Sequence, residues 1–199
     1  MWSTLPESKR AKIPKSNGTV APSYAIGKSA LGLLAVVTTA QRVIHIGFGS
    51  TPTEIERDLS QRYPAGLTTR SNDFTNKTLR ELVAYIDDPS LPIPSSLRPT
   101  QPGTEFQQRV WKAISAIPLG ATASYADIAR EIGSPTASRA VAQACGRNAL
   151  AVVVPCHRVV GSGGSLGGYR WGVERKKMLL ERELAASRQG EVEMTGVSG

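Results

Sequence analysis

The sequence is poor in the residues that hold metals and disulfides. Its 199 residues include only two cysteines, Cys145 and Cys156, and two histidines, His45 and His157. Two cysteines cannot form the dense disulfide framework of a small secreted domain. None of these residues has the short spacing that is typical of a zinc site, so we expect neither a metal nor another cofactor.

Long apolar runs are also missing. The longest, residues 30–37, is far shorter than the ~20 residues that span a membrane. Residues 1–17 are polar and basic and lack the apolar segment of a signal peptide. We therefore expect a protein without membrane contact that stays in the cytoplasm near the nucleoid, or in the nucleus of a eukaryote. We also expect a monomer.

Acidic residues are outnumbered by basic ones in both halves of the chain, and the formal net charge is +8. Residues 1–103 carry 12 basic and 8 acidic side chains, and residues 104–185 carry 11 and 6. Because the excess is spread over the folded parts and not confined to a tail, it favours a polyanionic partner such as nucleic acid.

The first half of the sequence predicts a small α+β unit over residues 23–88. An apolar run at 31–38 is followed by alternating apolar residues, which together predict an antiparallel hairpin. The alternating face carries Ile44, Ile46 and Phe48. His45 then lies on the other face, either exposed or packed.

Two amphipathic helices follow the hairpin. The first helix begins with a capping box at Thr53 and ends before Pro64. The second helix runs over residues 72–86. The flanking segments differ in character. Residues 1–22 predict a basic flexible tail, and residues 89–103, with five prolines, predict an extended linker.

After the linker, residues 104–186 predict a second, mainly helical domain. A capping box at residues 104–107 begins its first helix, and a short helix over 124–133 leads to a third that begins at Thr136. The connection through Gly133-Ser134-Pro135 fits a helix-turn-helix of the winged type.

The third helix carries small side chains apart from Arg139. Small residues let a helix approach a DNA duplex closely, and one long cation can then reach into it. A tight helix–helix contact inside a core would use the same alanines, and this alternative stays open.

A run of valines, residues 152–154, predicts a buried strand that presents Pro155-Cys156-His157-Arg158. A thiol attacks as a thiolate, which a neighbouring base or cation favours. Adjacent side chains of a strand point to opposite faces, so His157 can assist Cys156 only if the chain turns there or a water relays the proton. The alternative is that Cys156 is merely a small buried apolar residue.

The glycine-rich segment 161–168 has no P-loop ending and predicts a mobile wing or a loop that a ligand approaches closely. Tyr169 and Trp171 follow it, and they can stack on a flat base or pack in the core. The last helix, over 173–186, places Glu183 on its inner side, where a histidine is the expected partner. Residues 187–199 are expected to be disordered.

In this order, these motifs resemble the O6-alkylguanine-DNA alkyltransferases, also called methylated-DNA–protein-cysteine methyltransferases. The resemblance covers residues 103–183, and Pro155-Cys156-His157-Arg158-Val159 is its most specific part. Tyr169-Arg170-Trp171-Gly172 is most similar to the Ada-like members. Residues 23–88 resemble the family's ribonuclease-like domain, a small antiparallel sheet with helices, more loosely.

The resemblance implies a partner, double-stranded DNA that contains O6-alkylguanine. It further implies that the protein flips O6-methylguanine, and also O4-methylthymine, out of the duplex and transfers the alkyl group irreversibly to its own cysteine. Each molecule would then react once.

The resemblance also implies roles for the matched positions. Cys156 would accept the alkyl group, His157 would take the thiol proton through a water, Glu183 would orient His157, and Asn148 would brace the turn before Cys156. The pocket for the flipped base would be lined by Tyr169, Val159, Arg170 and Trp171, and Tyr169 would protonate the leaving guanine. The DNA contacts would come from Arg139, Tyr125, Ala137, Ser138, Ala140 and Ser162, with Arg139 in the gap left by the base.

The sequence departs from some relatives in two ways. It lacks the amino-terminal Cys and His residues that bind zinc in them, and no transcriptional activator region precedes the match, so we expect neither zinc nor a sensor-regulator. Two other functions remain as alternatives. A non-catalytic lesion-binding module on the same fold needs no activated thiol, and a cysteine hydrolase leaves Arg139 and the helix-turn-helix without a role.

Overall fold

The computed structural model describes residues 21–64, 66–67, 72–94, 97 and 101–195. Most of the predicted amino-terminal tail, residues 1–20, lies outside these ranges, as do five residues of the predicted linker and residues 196–199. Among the described residues, no helix combines the length and the apolar character that crossing a membrane requires.

A three-stranded antiparallel sheet forms the first half of the fold. Its strands are β1 (Ser23–Ser29), β2 (Gly32–Thr39) and β3 (Arg42–Gly49), and β2 lies in the middle. The predicted hairpin is therefore confirmed as β2–β3. The sequence analysis missed β1, because its residues, SYAIGKS, mix small and polar side chains with few apolar ones.

Two helices cover opposite faces of this sheet. Leu34 and Val36 of β2 belong to the large core that includes α2 (Asp73–Asp87), whereas Ala35 and Val37 pack with α1 (Pro52–Arg62). A strand that is buried on both faces reads as a continuous apolar run and not as an alternating one. This explains the apolar run that the sequence shows at residues 30–37.

A β-bulge in β3 overturns the predicted alternation. Val37 pairs with His45, but the next residue, Thr38, pairs with Val43, so Ile44 is the extra residue. Ile44 consequently packs on the α1 side of the sheet, while Ile46 and Phe48 face the larger core. The shared face predicted for these three residues is therefore wrong at Ile44.

The helix starts follow capping chemistry. The N-cap of α1 is Thr51, not Thr53, since the Thr51 side chain accepts from the Glu54 amide and Pro52 takes the first helical position that suits proline. The N-cap of α2 is Asn72.

The second half is mainly helical. Its elements are α3 (Glu105–Ser115), β4 (Ala123–Ser124), α4 (Tyr125–Glu131), α5 (Ser138–Gly146), β5 (Val159–Val160) and α6 (Val173–Thr195). The capping box of Thr104 and Gln107 is confirmed in both hydrogen bonds. The strands β4 and β5 form a two-residue parallel pair.

Two predicted helix ends need correction. The helix α5 begins at Ser138 and not at Thr136, because Ser134 and Ala137 close a hydrogen-bonded turn before it. The helix α6 continues to Thr195, so the predicted end at Ala186 and the predicted disorder are wrong for residues 187–195.

The predicted valine strand is a buried turn. Leu150 makes a single bridge with Ile46, and residues 151–154 then turn, with Val152 at a φ of 70°. Two backbone hydrogen bonds dock this segment on β3: Ile46 N to Ala149 O at 2.8 Å and Ala151 N to Ile46 O at 3.1 Å. The main core runs through both halves of the chain, so the turn before Cys156 is held by the sheet.

Candidate active site

Cys156 begins a single 3₁₀ turn, Cys156–Arg158, immediately after the buried valines. Its side chain is only 4 % exposed, and its Sγ accepts a hydrogen bond from Nδ2 of Asn148 at 3.2 Å. Asn148 also donates to the Val154 carbonyl at 2.8 Å. The asparagine therefore holds the turn and contacts the sulfur with the same amide group.

The chain turns at Cys156, which is one of the two conditions under which His157 could assist it. His157 is fully buried, and its Nε2 lies 2.7 Å from Oε1 of Glu183 on α6. A carboxylate can only accept, so Nε2 carries the proton and Nδ1 keeps a free lone pair. Among the described residues, Nδ1 has no hydrogen-bond partner.

Arg158 completes this buried cluster. Its guanidinium donates to both oxygens of Glu183, at 2.8 and 3.0 Å, and to the Ile117 carbonyl at 2.6 Å. Burial alone would raise the pKa of Glu183, but hydrogen bonds and charge from His157 and Arg158 lower it to about 2. Glu183 is therefore an anion at neutral pH, and the predicted pairing with a histidine is confirmed.

The same environment keeps both the thiol and the imidazole neutral at rest. Burial raises the pKa of Cys156 to about 11, and the Asn148 hydrogen bond and the Lys176 charge oppose this rise. Burial lowers the pKa of His157, partly offset by Glu183. A neutral imidazole with a free Nδ1 can accept a proton from the thiol.

Lys176 is a residue of this site that the sequence analysis missed. Its side chain is buried, and its Nζ donates to the Val159 carbonyl at 2.7 Å. Its charge lowers the pKa of both cysteine thiols. The signal was present, because Lys176 and Glu183 are seven residues apart and thus share one face of α6.

Cys145 is the second thiol near the site. It is buried near the end of α5, and burial and the Cys156 thiol both raise its pKa. The two thiols are therefore close enough to interact electrostatically. The pKa of Cys145 is raised further than that of Cys156, which makes it the weaker source of thiolate.

Tyr169 joins the site from the loop before α6. Its ring meets the His157 ring edge-on, with centroids 6.4 Å apart. Burial raises the pKa of Tyr169 well above 10, and its hydroxyl has no hydrogen-bond partner among the described residues. The phenol is thus a protonated group with an unused donor beside the imidazole.

The other three predicted pocket residues have mainly structural contacts. Val159 is buried and offers its carbonyl to Lys176, and Arg170 donates to the Asn148 carbonyl at 3.2 Å. Trp171 is only 4 % exposed and packs edge-on between Tyr169 and Phe48. Trp171 thus packs against Tyr169 in the interior and is not exposed at the entrance of a pocket.

A cavity of about 370 Å3 lies on the far side of Trp171, among β2, β3 and α1. Its lining includes His45, Asp58 and Arg170 but neither Cys156 nor Tyr169. It is therefore separate from the thiol site. Within the part of the chain that the structure describes, no cluster of three His, Cys, Asp or Glu residues could hold a metal.

The predicted helix-turn-helix is formed by α4 and α5, which pack against each other. Arg139 on the first turn of α5 is exposed, whereas Ala137, Ser138 and Ala140 are half-buried. Tyr125 opens α4, and burial and the two thiols raise its pKa, which places it near Cys156. Ser162 is exposed in the loop after β5 and makes no described contact with the thiol.

Comparison with known proteins gives one consistent result. Residues 105–185 match the family model described as the DNA-binding domain of 6-O-methylguanine DNA methyltransferase. The chain is 40 % identical over 166 residues to the bifunctional transcriptional activator/DNA repair enzyme Ada of Escherichia coli, covering 82 % of this chain and 46 % of Ada. It thus spans about half the length of this relative and of several others.

Two further matches extend over nearly the whole of the related chain. The methylated-DNA–protein-cysteine methyltransferase of Methanosarcina acetivorans is 37 % identical over 160 residues, which are 80 % of this chain and 97 % of that one. A crystal structure of Mycobacterium tuberculosis OGT in complex with DNA has a TM-score of 0.59 at 31 % identity, covering 82 % of this chain and 94 % of that chain.

Proposed function

Because the chain belongs to the methylated-DNA–protein-cysteine methyltransferases, we propose that it repairs DNA by moving the methyl group of O6-methylguanine to Cys156. The observation that carries the proposal is the arrangement around the thiol. Sγ accepts from Asn148, and a neutral imidazole polarised by a buried glutamate stands next to it in the chain.

The proposed step moves one methyl group and one proton. His157 takes the thiol proton on Nδ1 through a water, and the thiolate attacks the methyl carbon. The S–C bond forms as the C–O6 bond breaks, and the electron pair goes to guanine. Guanine takes a proton from the Tyr169 hydroxyl, and the imidazolium of His157 returns its proton to Tyr169. The sum is a methyl thioether and an unmodified guanine.

Lys176 and Asn148 contribute by stabilising the thiolate. Burial makes the Cys156 anion costly, and an N–H donor and a cation near the sulfur reduce that cost. Both groups are oriented by contacts elsewhere, Asn148 through Val154 and Lys176 through Val159. The charge that develops on sulfur therefore meets donors that are already in place.

The proposed partner is double-stranded DNA that carries the lesion. The α4–α5 pair would bind in the minor groove, where Arg139 fills the space of the extruded base and Tyr125 presses on the neighbouring phosphate. Ala137, Ser138 and Ala140 would allow close approach of α5, and Ser162 would contact the backbone from the loop. The exposed position of Arg139 and the proximity of Tyr125 to Cys156 support this placement.

Two further parts of the proposal follow from the chemistry. A thioether is a poor leaving group at neutral pH, so each molecule reacts once, and O4-methylthymine presents a similar O-methyl carbon. The substrate lies in chromosomal DNA, so the protein would act near the nucleoid of the cytoplasm, or in a eukaryotic nucleus. We further propose that it acts as a monomer.

The test is incubation with a duplex that contains O6-methylguanine, followed by intact-mass measurement and peptide mapping. The mass should rise by one methylene equivalent at Cys156. Cys156→Ser should lose transfer and keep DNA binding, and Cys145→Ser, a matched change of the neighbouring thiol, should keep both. Labelling at Cys145, or repair of many lesions per molecule, would contradict the proposal.

A further inference from the structure

Gln101 connects the predicted linker, residues 89–103, with the site around Cys156. It lies in the predicted extended linker, yet its side chain is only 4 % exposed. Its Nε2 donates to Oδ1 of Asn148 at 2.9 Å, and its Oε1 accepts from the amide of Ala149 at 2.7 Å. The carboxamide of Gln101 therefore contacts both the side chain of Asn148, which faces Cys156, and the backbone amide of the next residue, Ala149.

The polarity of these bonds follows from the backbone. The Ala149 amide can only donate, so the oxygen of Gln101 must face it and the Gln101 nitrogen must face Asn148. Asn148 then presents its oxygen to Gln101, and this oxygen also accepts from the Leu150 amide at 2.9 Å. The Asn148 nitrogen is left for Sγ of Cys156 and for the carbonyls of Val154 and Leu150, the latter at 3.3 Å.

We infer that Gln101 is a positioning residue that sets the amide of Asn148 so that an N–H group, and not an oxygen, faces the sulfur of Cys156. The reversed amide would place a lone pair against the thiolate and would remove one of the groups that stabilise it. This inference rests on the proposed function, since it concerns how the same thiol becomes reactive.

Two substitutions at Gln101 separate orientation from charge. Gln101→Met has similar length and no charge, and it removes one of the two donors that hold the Asn148 oxygen, the Leu150 amide being the other. Gln101→Glu keeps the acceptor for Ala149 but, when ionised, presents an oxygen to Oδ1 of Asn148. Gln107→Glu is the control, because the hydrogen bonds of Gln107 to the described residues belong to the α3 capping box, where glutamate serves equally well.

The native titratable groups around Cys156 are the same in all variants, and Gln101→Glu adds one carboxyl group to them. The native groups are His157 on the turn of Cys156, Tyr125 on α4, Cys145 on α5, Tyr169 in the loop, and Lys176 and Glu183 on α6. A change in the titration of Cys156 among the variants is therefore a result of the substitution.

The experiment measures two rates as a function of pH for the full chain. One is methyl transfer from an O6-methylguanine duplex, and the other is alkylation of Cys156 by iodoacetamide, in which the thiolate displaces iodide, followed by peptide mapping. We expect transfer at pH 8 to fall about threefold in Gln101→Met and at least about tenfold in Gln101→Glu. The apparent pKa of Cys156 should rise in the same order, while Gln107→Glu matches the wild type.

Two other outcomes count against the inference. If Gln101→Met behaves as the wild type and only Gln101→Glu is slow, the effect is one of added charge. If the rates fall while the pKa of Cys156 stays constant, Gln101 has a structural role alone, which thermal unfolding and DNA affinity would reveal. A wild type that iodoacetamide alkylates but methylated DNA does not would refute the proposed function, while the iodoacetamide titration would still test Gln101.

Discussion

His45 on β3 and His157 beside Cys156 lie in different halves of the molecule and are buried alike, at 1 % and 0 % exposure. Burial lowers the pKa of both, and neither Nδ1 has a hydrogen-bond partner among the described residues. Each also has a carboxylate as its nearest acid, Asp58 for His45 and Glu183 for His157.

The difference lies in the carboxylates. Glu183 is buried and accepts from Nε2 of His157 at 2.7 Å, which fixes the tautomer. Asp58 is half-exposed, lies 3.9 Å from Nε2 of His45 and accepts from Arg62 instead. A buried histidine with a free nitrogen therefore becomes a base only when a second contact orients it towards a nucleophile.

The largest effect should come from exchanging each histidine for glutamine. His157→Gln removes the proton acceptor and should slow methyl transfer at least about 100-fold, because general bases contribute factors of that size. His45→Gln should leave the rate within about twofold. Single-turnover kinetics on a methylated duplex would measure both, and equal slowing by the two substitutions would break the comparison.

Exchanging the carboxylates should show the difference in stability. Glu183→Gln leaves the buried Arg158 without its anion and should cost about 3–5 kcal/mol in the free energy of unfolding, as measured by urea unfolding. Asp58→Asn should cost less, about 1–2 kcal/mol, because Asp58 is half-exposed to water although its partner Arg62 is buried.

The pH dependence gives a second measure of Glu183. Its pKa falls from 4.5 to about 2 in the folded protein, so its contribution is full above pH 4.5 and is lost as the pH falls towards 2. Urea unfolding across this range should show a flatter curve for Glu183→Gln than for the wild type. Parallel curves would mean that the pKa of Glu183 is the same in the folded and the unfolded protein.

A smaller effect is expected when an exposed arginine is removed from each half of the chain and the repair of duplex DNA is compared. Arg139→Ala should slow repair of duplex DNA about tenfold while leaving reaction with the free base O6-methylguanine nearly unchanged, since base extrusion costs a few kcal/mol that an inserted side chain offsets. The control is Arg57→Ala, which removes an exposed arginine on α1 in the other half of the chain. It should change neither rate. Equal slowing of both reactions by Arg139→Ala would exclude a role in extrusion.

The smallest effect concerns the contribution of His45 to the pH dependence of stability. Its pKa is lowered in the folded protein, so the unfolded chain binds the proton first and stability falls as the pH drops below 6.5. His45→Gln should reduce the loss of stability between pH 6.5 and 5.5 by about 1 kcal/mol, as measured by urea unfolding. A loss as steep as that of the wild type would show that His45 titrates alike in both states.

Local patterns predicted most of the second half of the fold. The capping box at Thr104 and the turn at Gly133 depend on contacts within a few residues, and the inward position of Glu183 follows from the helical period. All three are present. Two errors occur where distant contacts are made. The bulge at Ile44 lies beside Ile46, on which the segment after Asn148 docks before the turn at Val152, and no local period encodes this contact.

The sequence by itself determined the order Cys156-His157-Arg158, the capping box that begins α3 and the resemblance that links these motifs to alkyl transfer, because they depend on neighbours along the chain. Only the tertiary structure decided what surrounds the thiol. Gln101 reaches Asn148 across 47 positions, and Glu183 reaches His157 across 26. Burial leaves such polar groups no water to bind, so packing selects their partners, and these partners control the charge on Cys156.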